Sequence, residues 1–245
     1  MGAKRATFAL LTLSILLLIP LGWALSARFN GTATIHYQFE APKHTEHELT
    51  LTIPLEEYRD YKKRPRPSYE DGLSKNELAA KVLAKYGAMA TDPGDDVLIY
   101  SLVRQLNDEA RASNFSELDK LRFVLKFVQS LTYTADNATT PSYMEYPRYP
   151  VETLFEQRGD CEDTSILLAA ILTQMGYDVA IIFFERFDHM GLGIYVPFEE
   201  KMYGNSWIYP DGRRYWYLDT SGRQPIGWCP KPYDTMPAYL YPVGG

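Results

Sequence analysis

Between Thr32 and Ile53, apolar and polar positions alternate in two runs, TATIHYQFE and HELTLTIPL, separated by APKHTEH. A period of two puts alternate side chains on one face, so the pair predicts a β-hairpin. Beyond Tyr69 the period lengthens. Ser74 to Met89 opens on a serine cap with Glu77 three residues on, Asp95 to Ala112 follows, and Ser116 to Leu131 again has a cap-like start, which predicts three helices. In the last of them Leu118, Leu121, Phe123, Leu125, Phe127 and Val128 form a broad apolar stripe. Further on, VETLFEQRGD predicts a short helix ended at Gly159, and a second helix is expected from Cys161 to Gln174, closed by Gly176. DVAIIFFERF, HMGLGIYVPF and RRYWYLDTSG then read as strands. Helices followed by antiparallel strands predict an α+β domain with helices packed on one face of a sheet.

Two stretches fall between these elements. YKKRPRPSY, Tyr61 to Tyr69, is basic and broken by proline and reads as a linker. TYTADNATTPSYMEYPRYP, Thr132 to Pro150, is a long polar and aromatic loop, and long ordered loops tend to carry function.

The N-terminus has a different pattern. Lys4 and Arg5 precede an uncharged run from Ala6 to Ala27, which at about 1.5 Å per residue is long enough to cross a hydrocarbon layer of about 30 Å. Ala24-Leu25-Ser26 would serve as a signal-peptidase site, but the run exceeds the roughly 7–15 residues of a signal core, which favours an uncleaved anchor over residues 1–28. Basic residues ahead of the run keep the N-terminus cytoplasmic and put the rest outside. The sequons at Asn30, Asn114 and Asn137 all lie on the expected outer side. The division expected is an anchor (1–28), a hairpin with linker (32–69) and a main domain (74–245).

Composition narrows the partners. With 25 Lys+Arg against 31 Asp+Glu the chain carries a net charge of −6 and has no electrostatic footprint for nucleic acid. Its 19 tyrosines suit either aromatic surfaces around a cleft or ordinary packing. His36, His44 and His47 have no metal-ligand spacing, so neither a metal nor another cofactor is expected.

Chemistry concentrates in GDCEDTSILL. There are only 2 cysteines, and Cys161 stands at a helix start, where backbone N–H groups and the helix dipole favour thiolate. Glu162 and Asp163 oppose that effect, so a cationic partner is required. His189, at the start of the strand HMGLGIYV, is the candidate base. Asp219, at the end of YWYLDTSG, is the candidate orienter, because the start of one antiparallel strand lies beside the end of its neighbour.

The segments GDCEDTSILLAAILTQMGYDV, DHMGLGIYV and YWYLDTSG, with FVQSLTYTAD and YPRYPVETLFEQRGDC upstream, resemble the transglutaminase-like superfamily over about 116–222. The resemblance implies a papain-like core with a nucleophile-bearing helix on an antiparallel sheet. It also implies Cys161 as nucleophile, His189 as general base and acid, and Asp219 as orienter. The substrate implied is an amide bond of a peptide or protein, opened through a thioester that passes to water or to an amine. One oxyanion donor would be the backbone N–H of Cys161; for a second, Gln129 and Tyr133 are candidates. The superfamily also contains inactive members, so a surface-anchored binding module is the alternative. A disulfide between Cys161 and Cys229 is a third possibility for an exported chain.

Overall fold

A computed structural model describes residues 31–66, 72–136, 146–184, 186, 189–196 and 202–244. The expected anchor, Asn30 and Asn137 lie outside the described residues. Among the described residues no helix is long and apolar enough to cross a membrane.

The two alternating runs form β1 (Thr32–Ala41) and β2 (Thr45–Pro54), paired antiparallel with Ala41 opposite Thr45. Their buried face, Tyr37, Phe39, Leu49, Leu51 and Ile53, enters the same apolar core as the helices that follow. The hairpin therefore does not stand apart. Directly after it comes α1 (Leu55–Lys63), which occupies the first part of the stretch read above as linker. The reason is pairing. Tyr61 is buried with its hydroxyl donating to Asp92 at 2.7 Å, Arg64 reaches the same carboxylate at 2.6 Å, and Arg66 pairs with buried Glu152 at 2.6 Å. Side chains that would be solvated in a linker fasten this segment to the core.

Four helices follow as α2 (Lys75–Ala90), α3 (Asp96–Ala112), α4 (Glu117–Val128) and α5 (Pro150–Glu156), and then α6 (Cys161–Gln174). The Ser74–Glu77 capping box starts α2, and the Ser116 hydroxyl caps α4. Every residue of α6 from Asp163 to Leu172 is buried, because α2, α3, α4 and α5 cover one side of it and a sheet covers the other. A helix enclosed all round has no polar face to keep.

Two short strands, β3 (Thr132–Tyr133) and β4 (Arg158–Gly159), pair in parallel just ahead of α6. The main sheet is antiparallel throughout, in the order β7 (Ser206–Ile208), β8 (Arg214–Leu218), β6 (Met190–Tyr195), β5 (Asp178–Phe184), β9 (Ala238–Val243). The three strands read from the sequence form its centre. Both edges come from segments without strong alternation, and β9 carries Pro242, which edge strands tolerate. The helix-on-sheet arrangement implied by the family resemblance is present, with α6 lying on β5 and β6.

Candidate active site

Cys161 is the first residue of α6 and is buried. Gly159 makes that start possible, because a Cβ there would lie 2.5 Å from Asp163 Cβ. Asp163 reaches back to accept from the Asp160 backbone N–H at 3.3 Å. Its own charge is matched by Arg148, which is fully buried. The Arg148 backbone N–H donates to Asp163 Oδ1 at 2.6 Å and the guanidinium pairs with Oδ2, while also meeting Asp136 at 2.9 Å and Glu156 at 3.4 Å. Of the two acids that follow Cys161, then, Asp163 is neutralised from behind.

Glu162 is not. Its Oε2 accepts from the Cys161 thiol at 2.9 Å. Burial first, then the Glu162 carboxylate, its hydrogen bond and Asp160, push the thiol well above its ordinary value, against a smaller opposing effect of the Met190 backbone. Cys161 therefore rests as a neutral thiol.

Met190 follows His189, so the strand that delivers the imidazole also touches the nucleophile. The β6–β8 register has Leu192 opposite Leu218. One more step puts Asp219 opposite Gly191, on the face that His189 shares two residues earlier. Accordingly His189 Nε2 lies 3.4 Å from Asp219 Oδ2. That is beyond the usual 2.7–3.2 Å hydrogen-bond range, and Oδ2, which is buried, has no closer partner. Asp219 Oδ1 accepts from the backbone N–H and the hydroxyl of Ser221 at 3.0 and 2.7 Å. The loop after Asp219 is also fastened to α6, with the Thr220 hydroxyl 2.8 Å from that of Thr164 and 3.2 Å from that of Ser165.

Several residues at the imidazole were not singled out from the sequence. The Tyr217 hydroxyl stands 3.1 Å from His189 Nε2, and it gets there because Gly191 has no side chain, since a Cβ at Gly191 would lie 2.4 Å from that oxygen. The ring of His189 stacks on Phe184 at 5.8 Å between centroids and meets Tyr233 at 4.7 Å. Tyr233 belongs to the tail beyond Arg223, where no motif marks it.

The two oxyanion candidates separate. Gln129 Nε2 donates to the backbone carbonyls of Asp219, at 2.7 Å, and Gln224, at 2.9 Å, so both amide hydrogens are engaged within the protein. Gln129 thus ties the Asp219 and Gln224 carbonyls together. Tyr133 lies on β3 opposite Gly159, half-exposed; burial first, then the charges of Cys161, Asp160 and Glu162, raise its pKa and keep its hydroxyl protonated. Both cysteines are free, and Cys229 sits with Ile182, Phe184 and Tyr217 in a separate apolar cluster.

An acidic group beside the thiol also escapes the sequence. Asp136, Asp160 and Glu162 bring carboxylate oxygens within 4.8 Å of one another. Burial, and then Asp163 and Asp136, push Asp160 up to about 8, and its Oδ1 is buried without a hydrogen-bond partner. No ligand spacing announces such a cluster, because Asp136 comes from the loop after β3.

No family model matches the chain. No curated protein matches it. Similar solved structures include calcium-bound LapG of Legionella pneumophila, at 20% identity and a TM-score of 0.38 over 65% of this chain and 86% of that one. A second LapG structure from the same organism gives 20% and 0.38 over 66% and 88%. A TGase gives 18% and 0.37 over 82% of this chain and 47% of that one. At such identities and TM-scores these overlaps carry no argument about activity, and the chemistry rests on the site's own geometry.

Proposed function

We propose that the protein is a transglutaminase-like thiol enzyme that opens an amide bond of a peptide or protein through a thioester. The observation that carries this reading is the placement of His189: its Nε2 faces the Tyr217 hydroxyl at 3.1 Å and the Asp219 carboxylate at 3.4 Å, and the strand it leads into, β6, packs against the helix that Cys161 begins. With Nε2 engaged, Nδ1 is the nitrogen left for the thiol. Because Cys161 rests protonated, Nδ1 accepts its proton as the sulfur attacks the carbonyl, and returns it to the departing amine. Asp219 and Tyr217 hold the imidazolium formed between these steps. The backbone N–H of Cys161, with the Tyr133 hydroxyl as second donor, faces the developing oxyanion. Water or an amine then takes the acyl group from sulfur.

Asp136, Asp160 and Glu162 form an all-oxygen donor set with one orphaned buried oxygen, which fits a hard divalent cation such as calcium. A bound cation would supply positive charge that offsets the carboxylates raising the Cys161 thiol.

The Ala6–Ala27 run supports a single membrane pass with the N-terminus cytoplasmic and the domain outside. Asn114, exposed in the turn between α3 and α4, is then open to glycosylation.

The test is labelling with an electrophilic amide probe, which the wild type should take up and Cys161→Ala should not. Labelling that persists, or moves to Cys229, sinks the reading. The alternative, an inactive binding module on the same fold, is favoured by the raised thiol. It predicts no labelling of the wild type at any pH at which the protein stays folded.

A further inference from the structure

Two recesses on the side of the molecule formed by the hairpin turn share three lining residues, Pro42, Lys126 and Arg223. One, of about 330 Å³, runs under the turn; the other, of about 190 Å³, runs along α4 toward Gln224 and Ile226. They form one cleft between the β1–β2 turn, the C-terminal half of α4 and the segment after Asp219.

Its charge differs from that of the whole chain. Lys126 and Arg223 line both recesses, and neither has a hydrogen bond or ion pair among the described residues. Lys43 and Arg122, at the rim, divide one carboxylate between them, Asp119, at 3.3 and 3.2 Å. Glu40, the carboxylate among the lining residues, has its Oε1 2.5 Å from His44 Nδ1, and even with Glu40 and Asp119 both charged the four cations outnumber them. A local excess of positive charge thus sits in a chain whose net charge is −6. Between the cations the walls are apolar, from Pro42, Leu125, Pro225 and Ile226. The turn that forms the rim holds two consecutive non-glycine residues, Lys43 and His44, in the left-handed region at φ 66° and 57°, a conformation costing about 1 kcal/mol or more each.

From this we infer that the cleft is a docking site for an acidic peptide segment in which carboxylates alternate with apolar side chains. The carboxylates meet Lys126 and Arg223, and the apolar side chains meet the proline and isoleucine walls. A nucleic acid fits less well, because among the described residues the cleft offers no exposed aromatic ring on which a base could stack and the net negative charge of the chain repels a long polyanion. The cleft is also joined to the imidazole site. Gln129, one turn beyond Lys126, donates to the carbonyl of Gln224, beside Arg223, and to that of Asp219. An occupant is therefore held on the same loop that carries the His189 partner.

Binding can be read directly, independently of any thiol chemistry. A fluorescein-labelled 12-residue peptide of alternating Glu and Leu should bind the full chain by anisotropy. The same peptide with Lys for Glu should not. K126E/R223E should weaken binding about tenfold or more, K126R/R223K should retain it, and added salt should weaken it. Neither side chain has an ion pair among the described residues, so an unchanged melting temperature confirms that the reversed variant is folded. Cys161→Ala should bind as the wild type does, which separates failure here from failure of the amide-bond reading. Equal affinity for the lysine peptide, indifference to the charge reversal, or an oligothymidylate of matched charge binding as tightly would each overturn the proposal.

Discussion

The hydroxyl of Tyr217 stands nearer to Nε2 of His189, at 3.1 Å, than the Asp219 carboxylate does, at 3.4 Å. Two groups thus stand at one imidazole nitrogen, and the charged one is at the longer distance, beyond hydrogen-bond range. As the ring gains a proton, the attraction to Asp219 grows while that to the phenol changes little. Asp219→Asn should therefore lower kcat/KM by about a hundredfold or more, and Tyr217→Phe by only about fivefold to twentyfold. Gly191→Ala should resemble Tyr217→Phe, since the added methyl displaces the same hydroxyl. Steady-state kinetics on a peptide amide checks the order. Equal losses for Asp219→Asn and Tyr217→Phe would show that the carboxylate has no privileged role.

Cys161 is held protonated by burial first and then by Glu162. Removing that carboxylate's charge favours thiolate, so the thiol pKa should fall in Glu162→Gln. The rate of iodoacetamide labelling should rise with pH in the wild type, and in the variant the whole profile should move to lower pH. An unmoved profile would mean that burial alone sets the thiol.

Arg148 is fully buried among Asp136, Glu156 and Asp163. Removing it strands carboxylates in the interior. Arg148→Ala should cost about 3–5 kcal/mol in urea unfolding. A loss below about 1 kcal/mol would show that water reaches these carboxylates.

Asp95, at the start of α3, is buried, and burial, followed by Asp92, raises its pKa to about 7. An ordinary Asp titrates near 3.9. Between those values the folded state holds a proton that the unfolded chain has lost, so this group costs stability as pH rises from about 4 to about 7. Asp95→Asn should raise the stability by about 1–2 kcal/mol at pH 8, and the gain should vanish as pH falls toward 4. Thermal melts of both proteins across that range decide it, and a gain independent of pH would assign the effect to packing.

The sequence alone determined the alternation of the hairpin, the capped helices, the apolar runs of α6, β5, β6 and β8, and the candidacy of Cys161, His189 and Asp219. Each of these is a local signal: a period, a cap, or a reactive residue type at an element boundary. Only the tertiary structure decided what surrounds them. The β6–β8 register aims Tyr217 at His189 across Gly191, and the tail brings Tyr233 under the ring. Arg148 cancels Asp163 but leaves Glu162 facing the sulfur, and Gln129 turns inward to the carbonyls of Asp219 and Gln224. These contacts join residues far apart in the chain, and their strength depends on burial and on which charges share a low-dielectric space. A linear pattern of residue types carries neither quantity.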